Sequence, residues 1–235
     1  MTHPFQTVGI VGTGAMGRGI AQICAQAGSL VLLHDTQAQA CQQAIDSLQA
    51  QWNKLAEKGR LTPAQVQDYV ARLRPAPNLS DLAACDLIIE AIVEKLEVKQ
   101  SVFQQLESLV RPETVLATNT SSLSVTAIAS ALKSPQRFAG YHYFNPVPLM
   151  KVVEVIAGLR TDPKVCEQLD AHARATGHTP VHAQDTPGFI VNHAGRGYGT
   201  EALRIVSEGI TDFATVDRIL RDQVGFKLGP FELLD

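Results

Sequence analysis

A chain of 235 residues, 45% hydrophobic and 18% charged, has the composition of a globular protein long enough to bury a sizeable core. Its formal net charge of −3 excludes a basic face for nucleic acid and a polybasic patch for a membrane surface. Its scattered cysteines, Cys24, Cys41, Cys85 and Cys166, form no CxxC pair, which argues against a zinc site or a disulfide framework and suits a reducing cytoplasm.

The first residues, Met1-Thr2-His3-Pro4-Phe5, lack the charged region, apolar stretch and cleavage site of a secretory signal. No apolar run reaches membrane-spanning length. Val8-Gly9-Ile10-Val11 reads as a short buried strand. Ile20, Ile23, Cys24 and Ala27 then recur at helical spacing, and Gly28 stops that helix. Leu30-Val31-Leu32-Leu33 is a second buried strand, closed by His34-Asp35. A long helix is predicted over 39–57, ended by Gly59, and Thr62-Pro63 then reads as an N-cap and first helical position of a helix toward Arg72. Strands are predicted at 86–91, 115–118 and 137–142, with a helix over 95–110 between the first two. Further strands are expected at 151–156 and 178–182.

Strands alternating with helices imply βαβ units: an α/β fold with a Rossmann-type, mainly parallel sheet and helices on both faces. Beyond Pro187 strand signals stop, and helices are expected over about 190–207 and 215–224. Asp185-Thr186-Pro187-Gly188 marks the expected boundary. It separates a dinucleotide-binding domain (1–185) from the start of an α-helical C-terminal domain (186–235).

Gly12-Thr13-Gly14-Ala15-Met16-Gly17 is a GxGxxG turn with a strand before it, a helix after it and an acidic residue ending the next strand. That context makes a common turn specific for a dinucleotide. Gly12 permits the tight turn, Gly14 lets backbone approach the pyrophosphate, and Gly17 lets helix and sheet pack closely. The helix N-terminus offers N–H groups and partial positive charge to phosphate. Asp35, 21 residues after Gly14, suits the adenosine ribose hydroxyls and would repel a 2′-phosphate, so NAD is favoured over NADP. A structural glycine turn beside a solvated aspartate is the competing reading.

Oxidising a carbinol by hydride transfer needs a base for the hydroxyl proton. His142 ends a predicted strand, at the sheet edge where open α/β folds bind ligands, and histidine titrates near neutrality. Glu154, twelve residues on, is flanked by valines on a buried-looking strand, where a carboxylate is costly unless paired. A histidine partner would satisfy it and fix the imidazole tautomer. A purely structural histidine remains the alternative on spacing alone.

Six separate motifs carry a resemblance running from Thr7 to the last residue. They are GTGAMG from Gly12, EAIVEKLEVK from Glu90, TNTSSLS from Thr118, GYHYFNPVPLMKVVEVI from Gly140, TPGFIVN from Thr186 and GPFELLD from Gly229. In this order they resemble the L-3-hydroxyacyl-CoA dehydrogenases, in particular the bacterial 3-hydroxybutyryl-CoA and 3-hydroxyadipyl-CoA members. The resemblance implies an NAD-dependent, reversible oxidation of a 3-hydroxyacyl-CoA, with His142 as base and Glu154 as its acidic partner. Ser121 and Asn192 match residues that hold the substrate's oxygen functions, although Ser121 also reads as a helix cap and Asn192 as a polar helix residue. Met16, Glu94, Lys99, Asn119 and Asn145 join Gly12, Gly14, Gly17 and Asp35 as implied cofactor contacts. Ser47 and Lys54 match positions that meet the CoA moiety.

Two departures stand out. His193 replaces the arginine that usually follows the asparagine of GFIVN, and residues 195–199 are glycine-rich for a helix. The family's helical domain, which closes over acyl-CoA and supplies the dimer contact, continues well beyond the GPFE motif. This chain stops six residues after Gly229, so the second domain is expected to be represented only by its beginning, with a homodimer if that domain is complete. A crystallin-like nucleotide-binding or structural protein that keeps the fold without turnover is the alternative function. Related β-hydroxyacid dehydrogenases share the GxGxMG opening, but the HYFNP and VVEVI motifs do not suit them.

Overall fold

The computed structural model describes residues 4–37 and 39–234. Residues 1–3, whose lack of a secretory signal is an expectation from sequence, and Asp235, the end of GPFELLD, lie outside them. The chain divides into two units, Met1–Pro187 and Gly188–Asp235. The break falls two residues after the expected boundary because Asp185 is tied into the first unit. Its carboxylate accepts hydrogen bonds from Ser124 Oγ (2.9 Å) and from the amides of Val125 and Thr126 (both 2.8 Å).

The first unit runs β1 (Thr7–Val11), α1 (Ala15–Ala27), β2 (Leu30–His34), α2 (Ala40–Glu57), α3 (Pro63–Ala71), β3 (Leu73–Pro75), β4 (Leu87–Glu90), α4 (Leu96–Leu109), β5 (Val115–Thr118), α5 (Val125–Ala129), β6 (Phe138–Tyr143), β7 (Val152–Ala157), α6 (Pro163–Ala175) and β8 (Thr179–Ala183). The sheet has eight strands in the order β3-β2-β1-β4-β5-β6-β7-β8. All neighbours are parallel except β6 and β7. The first six follow the doubly wound order, in which the strand order reverses at β1 and opens a crevice beyond the carboxyl ends of β1 and β4.

Apolar runs form the central strands because both faces are covered by helices. Every residue of β4, β5 and β6 is buried. Ile10, Leu33, Leu87 and Val155 are wholly inaccessible, and each such side chain contributes about 1.5–3 kcal/mol relative to exposure. The helix starts obey local chemistry. Thr62 Oγ1 accepts from the Gln65 amide (3.2 Å) and Gln65 Oε1 accepts from the Thr62 amide (2.9 Å), a capping box with Pro63 in the first turn. Three elements go beyond the sequence reading: β3, α5 and α6. The first two have only 3 and 5 residues, too short for periodicity to register. For α6 the signals were present: Asp162 caps it, Pro163 opens it, and Val165, Cys166, Leu169 and Ala173 form its buried stripe.

The second unit contains α7 (Val191–Ser207) and α8 (Phe213–Asp222). α8 starts two residues earlier than expected because Asp212 caps it, accepting from the Thr215 amide at 2.7 Å. α7 accommodates Gly195, Gly197 and Gly199. Asp217, only 7% exposed, receives the amides of Phe231 (2.9 Å) and Glu232 (3.2 Å), which folds the GPFE segment back on α8.

Candidate active site

The glycine turn sits at the reversal point of the sheet. Gly12 has φ +93°, and a Cβ there would lie 2.6 Å from the Ala91 carbonyl oxygen. A Cβ on Gly17 would lie 1.8 Å from the Gly12 carbonyl oxygen, whereas one on Gly14 would meet nothing within 4 Å. The outer two glycines therefore serve packing, and Gly14 leaves open space for a ligand in front of the N-terminus of α1.

Asp35 follows β2 and reaches back to this turn. Its Oδ2 accepts from the Thr13 amide (2.8 Å) and Thr13 Oγ1 (2.9 Å), and its Oδ1 accepts from the Gln37 amide (3.0 Å). Partial burial pushes its pKa up, but these hydrogen bonds outweigh that and hold the carboxyl below its ordinary value. The ionised group borders a cavity of about 310 Å³ with Gly12, Ile92, Val93 and Val98. An apolar slot with one carboxylate at its edge fits an adenine and its ribose, the group a dinucleotide would present there.

His142 and Glu154 are brought together by the antiparallel pairing of β6 with β7, whose register puts them directly opposite. His142 Nδ1 and Glu154 Oε2 are 2.6 Å apart, with the residues 5% and 0% exposed. Phe144 packs on the imidazole with ring centroids 4.5 Å apart. The histidine borders a second cavity, of about 340 Å³, together with Met16, Glu94, Asn119, Ser121 and Asn145. Ile92 lines both cavities.

A chain of charges runs from the wall of this cavity into the interior. Glu90, at the end of β4, accepts from Lys99 Nζ (2.6 Å), Thr118 Oγ1 (2.7 Å) and the Ile92 amide (2.7 Å). Lys99 also reaches Glu94 at 3.1 Å. Glu94 Oε1 in turn accepts from Thr120 Oγ1 (2.5 Å), the Ser121 amide (2.9 Å) and the Ser122 amide (3.2 Å). Burial raises the Glu94 pKa, yet Thr120, Lys99 and the Ser121 amide together hold it below its ordinary value. Asn119 Oδ1 accepts from the Tyr143 amide at 2.9 Å, joining the ends of β5 and β6.

Of the residues expected from sequence, Met16, Glu94, Asn119, Ser121, His142 and Asn145 share one cavity, and Gly12 and Asp35 share the adjoining one. Lys99 is 1% exposed and lines neither; it is held between the carboxylates of Glu90 and Glu94. Ser121 is no helix cap, since Ser124 Oγ caps α5 through the Ala127 amide. Ser47 and Lys54 are exposed on α2 and border neither cavity, and Asn192 is exposed in the first turn of α7. Sequence reasoning missed Glu90, Thr118 and Thr120. A glutamate closing an apolar strand was the available signal for Glu90, by the reasoning that singled out Glu154. A larger hollow of about 730 Å³ beside α2 and α3 has Glu57 as its one ionisable lining residue and carries none of this chemistry. Among the described residues no His/Cys/Asp/Glu group could hold a metal ion, and no helix is long and apolar enough to cross a membrane.

A family model described as "3-hydroxyacyl-CoA dehydrogenase, NAD binding domain" matches residues 7–186, and one described as "3-hydroxyacyl-CoA dehydrogenase, C-terminal domain" matches residues 188–235. The chain is 46% identical over 230 residues to the 3-hydroxyadipyl-CoA dehydrogenase of Escherichia coli K12, covering 98% of this chain but 48% of that protein. It is 39% identical over 227 residues to a probable 3-hydroxybutyryl-CoA dehydrogenase of Deinococcus radiodurans, covering 97% of this chain and 81% of the relative. The chain thus spans about half the length of the first of these relatives. Among solved structures, a 3-hydroxybutyryl-CoA dehydrogenase of E. coli K12 superposes with a TM-score of 0.95 at 46% identity, covering 97% of this chain and 48% of the other. The (S)-3-hydroxybutyryl-CoA dehydrogenase of Ralstonia eutropha gives 0.92 at 34%, covering 96% and 80%. With a dinucleotide slot, a buried histidine–glutamate pair beside it and both family models matched, the chain belongs to the 3-hydroxyacyl-CoA dehydrogenase family.

Proposed function

We propose that this chain carries the NAD-dependent, reversible oxidation of L-3-hydroxyacyl-CoA to 3-oxoacyl-CoA. The observation that carries the reading is the buried His142–Glu154 contact of 2.6 Å beside a cavity that shares Ile92 with the slot bordered by Asp35. Glu154 engages Nδ1, so proton exchange with a bound hydroxyl falls to Nε2. The carboxylate then stabilises the imidazolium that forms, without itself taking the proton. NAD, when bound, supplies the hydride acceptor. Ser121, beside His142, is suited to hold the substrate oxygen, its backbone fixed by Glu94. Asn192 keeps the substrate-contact role that the resemblance implies. Asp35 has an ionised carboxylate where NADP would carry a phosphate, which favours NAD. The four cysteines are all buried free thiols, which suits the cytoplasm. A homodimer through the helical second domain, and acyl-CoA as the partner molecule, belong to the same reading.

The test is to mix the chain with acetoacetyl-CoA and NADH and follow NADH absorbance, with NADPH and His142→Ala as controls. Turnover that requires His142 and is weak with NADPH is expected. NADH binding without turnover, read from a rise in Tm, would favour the crystallin-like alternative.

A further inference from the structure

Glu90 closes β4 at the carboxyl edge of the sheet, in register with Val11 on one side and Thr118 on the other. It is wholly buried and lines neither cavity. A carboxylate in that place is costly unless it is fully bonded. Its partners are Lys99 Nζ, Thr118 Oγ1 and the Ile92 amide. All three are donors and one is an ammonium, the pattern that an ionised carboxylate accepts.

Lys99 needs that charge. It is buried and rises from the first turn of α4, where the partial charge of the helix end is also positive. Its ammonium lies 2.6 Å from Glu90 and 3.1 Å from Glu94. One ammonium between two carboxylates leaves one negative charge uncancelled. The shorter contact, entirely out of water, belongs to Glu90, whereas Glu94 is partly exposed. Among the described residues Glu94 is the only carboxylate lining the His142 cavity, and no lysine or arginine lines it. The uncancelled charge therefore stands on the cavity wall. Without Glu90, Lys99 would neutralise Glu94 instead.

A charge at that wall distinguishes the two forms of a nicotinamide, because the oxidised ring is cationic and the reduced ring is neutral. Hydride transfer from a hydroxyl held at His142 brings the ring into the cavity that Glu94 lines. Resting on the dehydrogenase reading for the position of the ring, we propose that Glu90 is a positioning residue that sets the redox-state preference of the cofactor site. By holding the Lys99 charge, Glu90 leaves the Glu94 charge uncancelled, and the cavity then favours oxidised NAD relative to NADH. The His142–Glu154 pair is common to every variant in the test and drops out of the comparison.

Oxidised NAD, NADH and ADP are titrated calorimetrically into the wild-type chain, Glu90→Gln, Glu94→Gln and the double variant Glu90→Gln/Lys99→Met. The readout is Kd for oxidised NAD divided by Kd for NADH, which requires no turnover. Glu90→Gln should raise that ratio about tenfold, the order expected of one unit charge acting across a solvated cavity. A tenfold change is about 30 mV in the two-electron potential of the bound cofactor. Glu94→Gln removes the same charge at the wall itself and should raise the ratio at least as much. The double variant removes a neutral pair and should return the ratio to within about twofold of wild type. ADP, which carries no nicotinamide, should bind all of them alike.

A Glu90→Gln ratio within about twofold of wild type, whatever happens to the separate affinities, would overturn the proposal. So would a double variant that keeps the raised ratio. If Glu90→Gln does not fold, Glu94→Gln and the double variant decide the matter, since equal ratios in those two would overturn it. A wild-type chain that binds neither form of the dinucleotide would remove the dehydrogenase reading and this proposal with it. Binding and turnover with no dependence of the ratio on charge would remove the proposal alone.

Discussion

Replacing Glu154 by glutamine keeps the volume and hydrogen-bonding reach of the side chain while deleting its charge, so it isolates what the carboxylate contributes. In the structure it meets His142 Nδ1 at 2.6 Å with neither residue more than 5% exposed. A hydrogen bond to a charged group contributes about 1.5–3 kcal/mol net. Two unit charges about 4 Å apart at an effective dielectric constant near 20 attract by about 4 kcal/mol. The loss is incurred as the imidazolium forms, and therefore falls on the chemical step. At about 1.36 kcal/mol per decade, kcat for Glu154→Gln should drop roughly 10- to 1000-fold. The assay is stopped-flow oxidation of NADH at saturating acetoacetyl-CoA. The NADH-induced rise in Tm and the near-UV circular dichroism should stay at wild-type values. A folded variant whose kcat lies within about threefold of wild type, a barrier change of only about 0.65 kcal/mol, would refute the role given to Glu154.

Substitutions at three further positions test the scaffold. Gly17→Ala drives a methyl against the Gly12 carbonyl oxygen, 1.8 Å away. It should cost about 1–3 kcal/mol, a Tm drop of roughly 2–12 °C for a chain of this size, and abolish the NADH-induced rise in Tm. Burial pushes the Asp185 pKa up, but the Thr126, Ser124 and Val125 hydrogen bonds hold it below its ordinary value of 3.8. A depressed carboxyl stabilises fully above its unfolded pKa and loses that contribution as pH falls through its folded one. Asp185→Ala should therefore lower stability by about 0.5–2 kcal/mol at neutral pH, as for a lost helix cap. Urea unfolding should find that difference closing as pH falls below 3.8 toward the depressed folded value, and a difference independent of pH would count against it. Trp52 is wholly buried, 5.4 Å from the Tyr69 ring, and its indole N–H has no partner among the described residues. Trp52→Ala should cost about 3–5 kcal/mol and Trp52→Phe clearly less; equal costs would mean that the indole nitrogen is bonded.

The dinucleotide turn was legible because every part of it is local: strand, three glycines, helix and aspartate occupy one stretch of 29 residues from Thr7 to Asp35. The same locality made most strands and helices readable from period and cap. His142 and Glu154 were only half legible. Their residue types suggested a pair, but nothing within twelve residues of sequence fixes whether β7 runs antiparallel to β6 or in what register. The resemblance implies Lys99 only as a cofactor contact, and helix lysines are usually exposed. It is buried only because Glu90 and Glu94 converge on it from β4 and the loop after β4. Ser121 looked like a cap until Ser124 took that role and Glu94 claimed the Ser121 amide.

By itself, then, the sequence determined the α/β class, the cofactor-binding turn, the order of elements and the residue types able to move a proton, since periodicity, capping and turn chemistry act over a few residues. The tertiary structure alone decided that β7 pairs antiparallel with β6 and sets Glu154 on His142. It also decided that Glu90 and Glu94 converge on the buried Lys99, with Glu94 reaching the cavity wall. These depend on which distant strands and helices become neighbours. Distances between charges and the exclusion of water are properties of that packing, and no short stretch of sequence holds them.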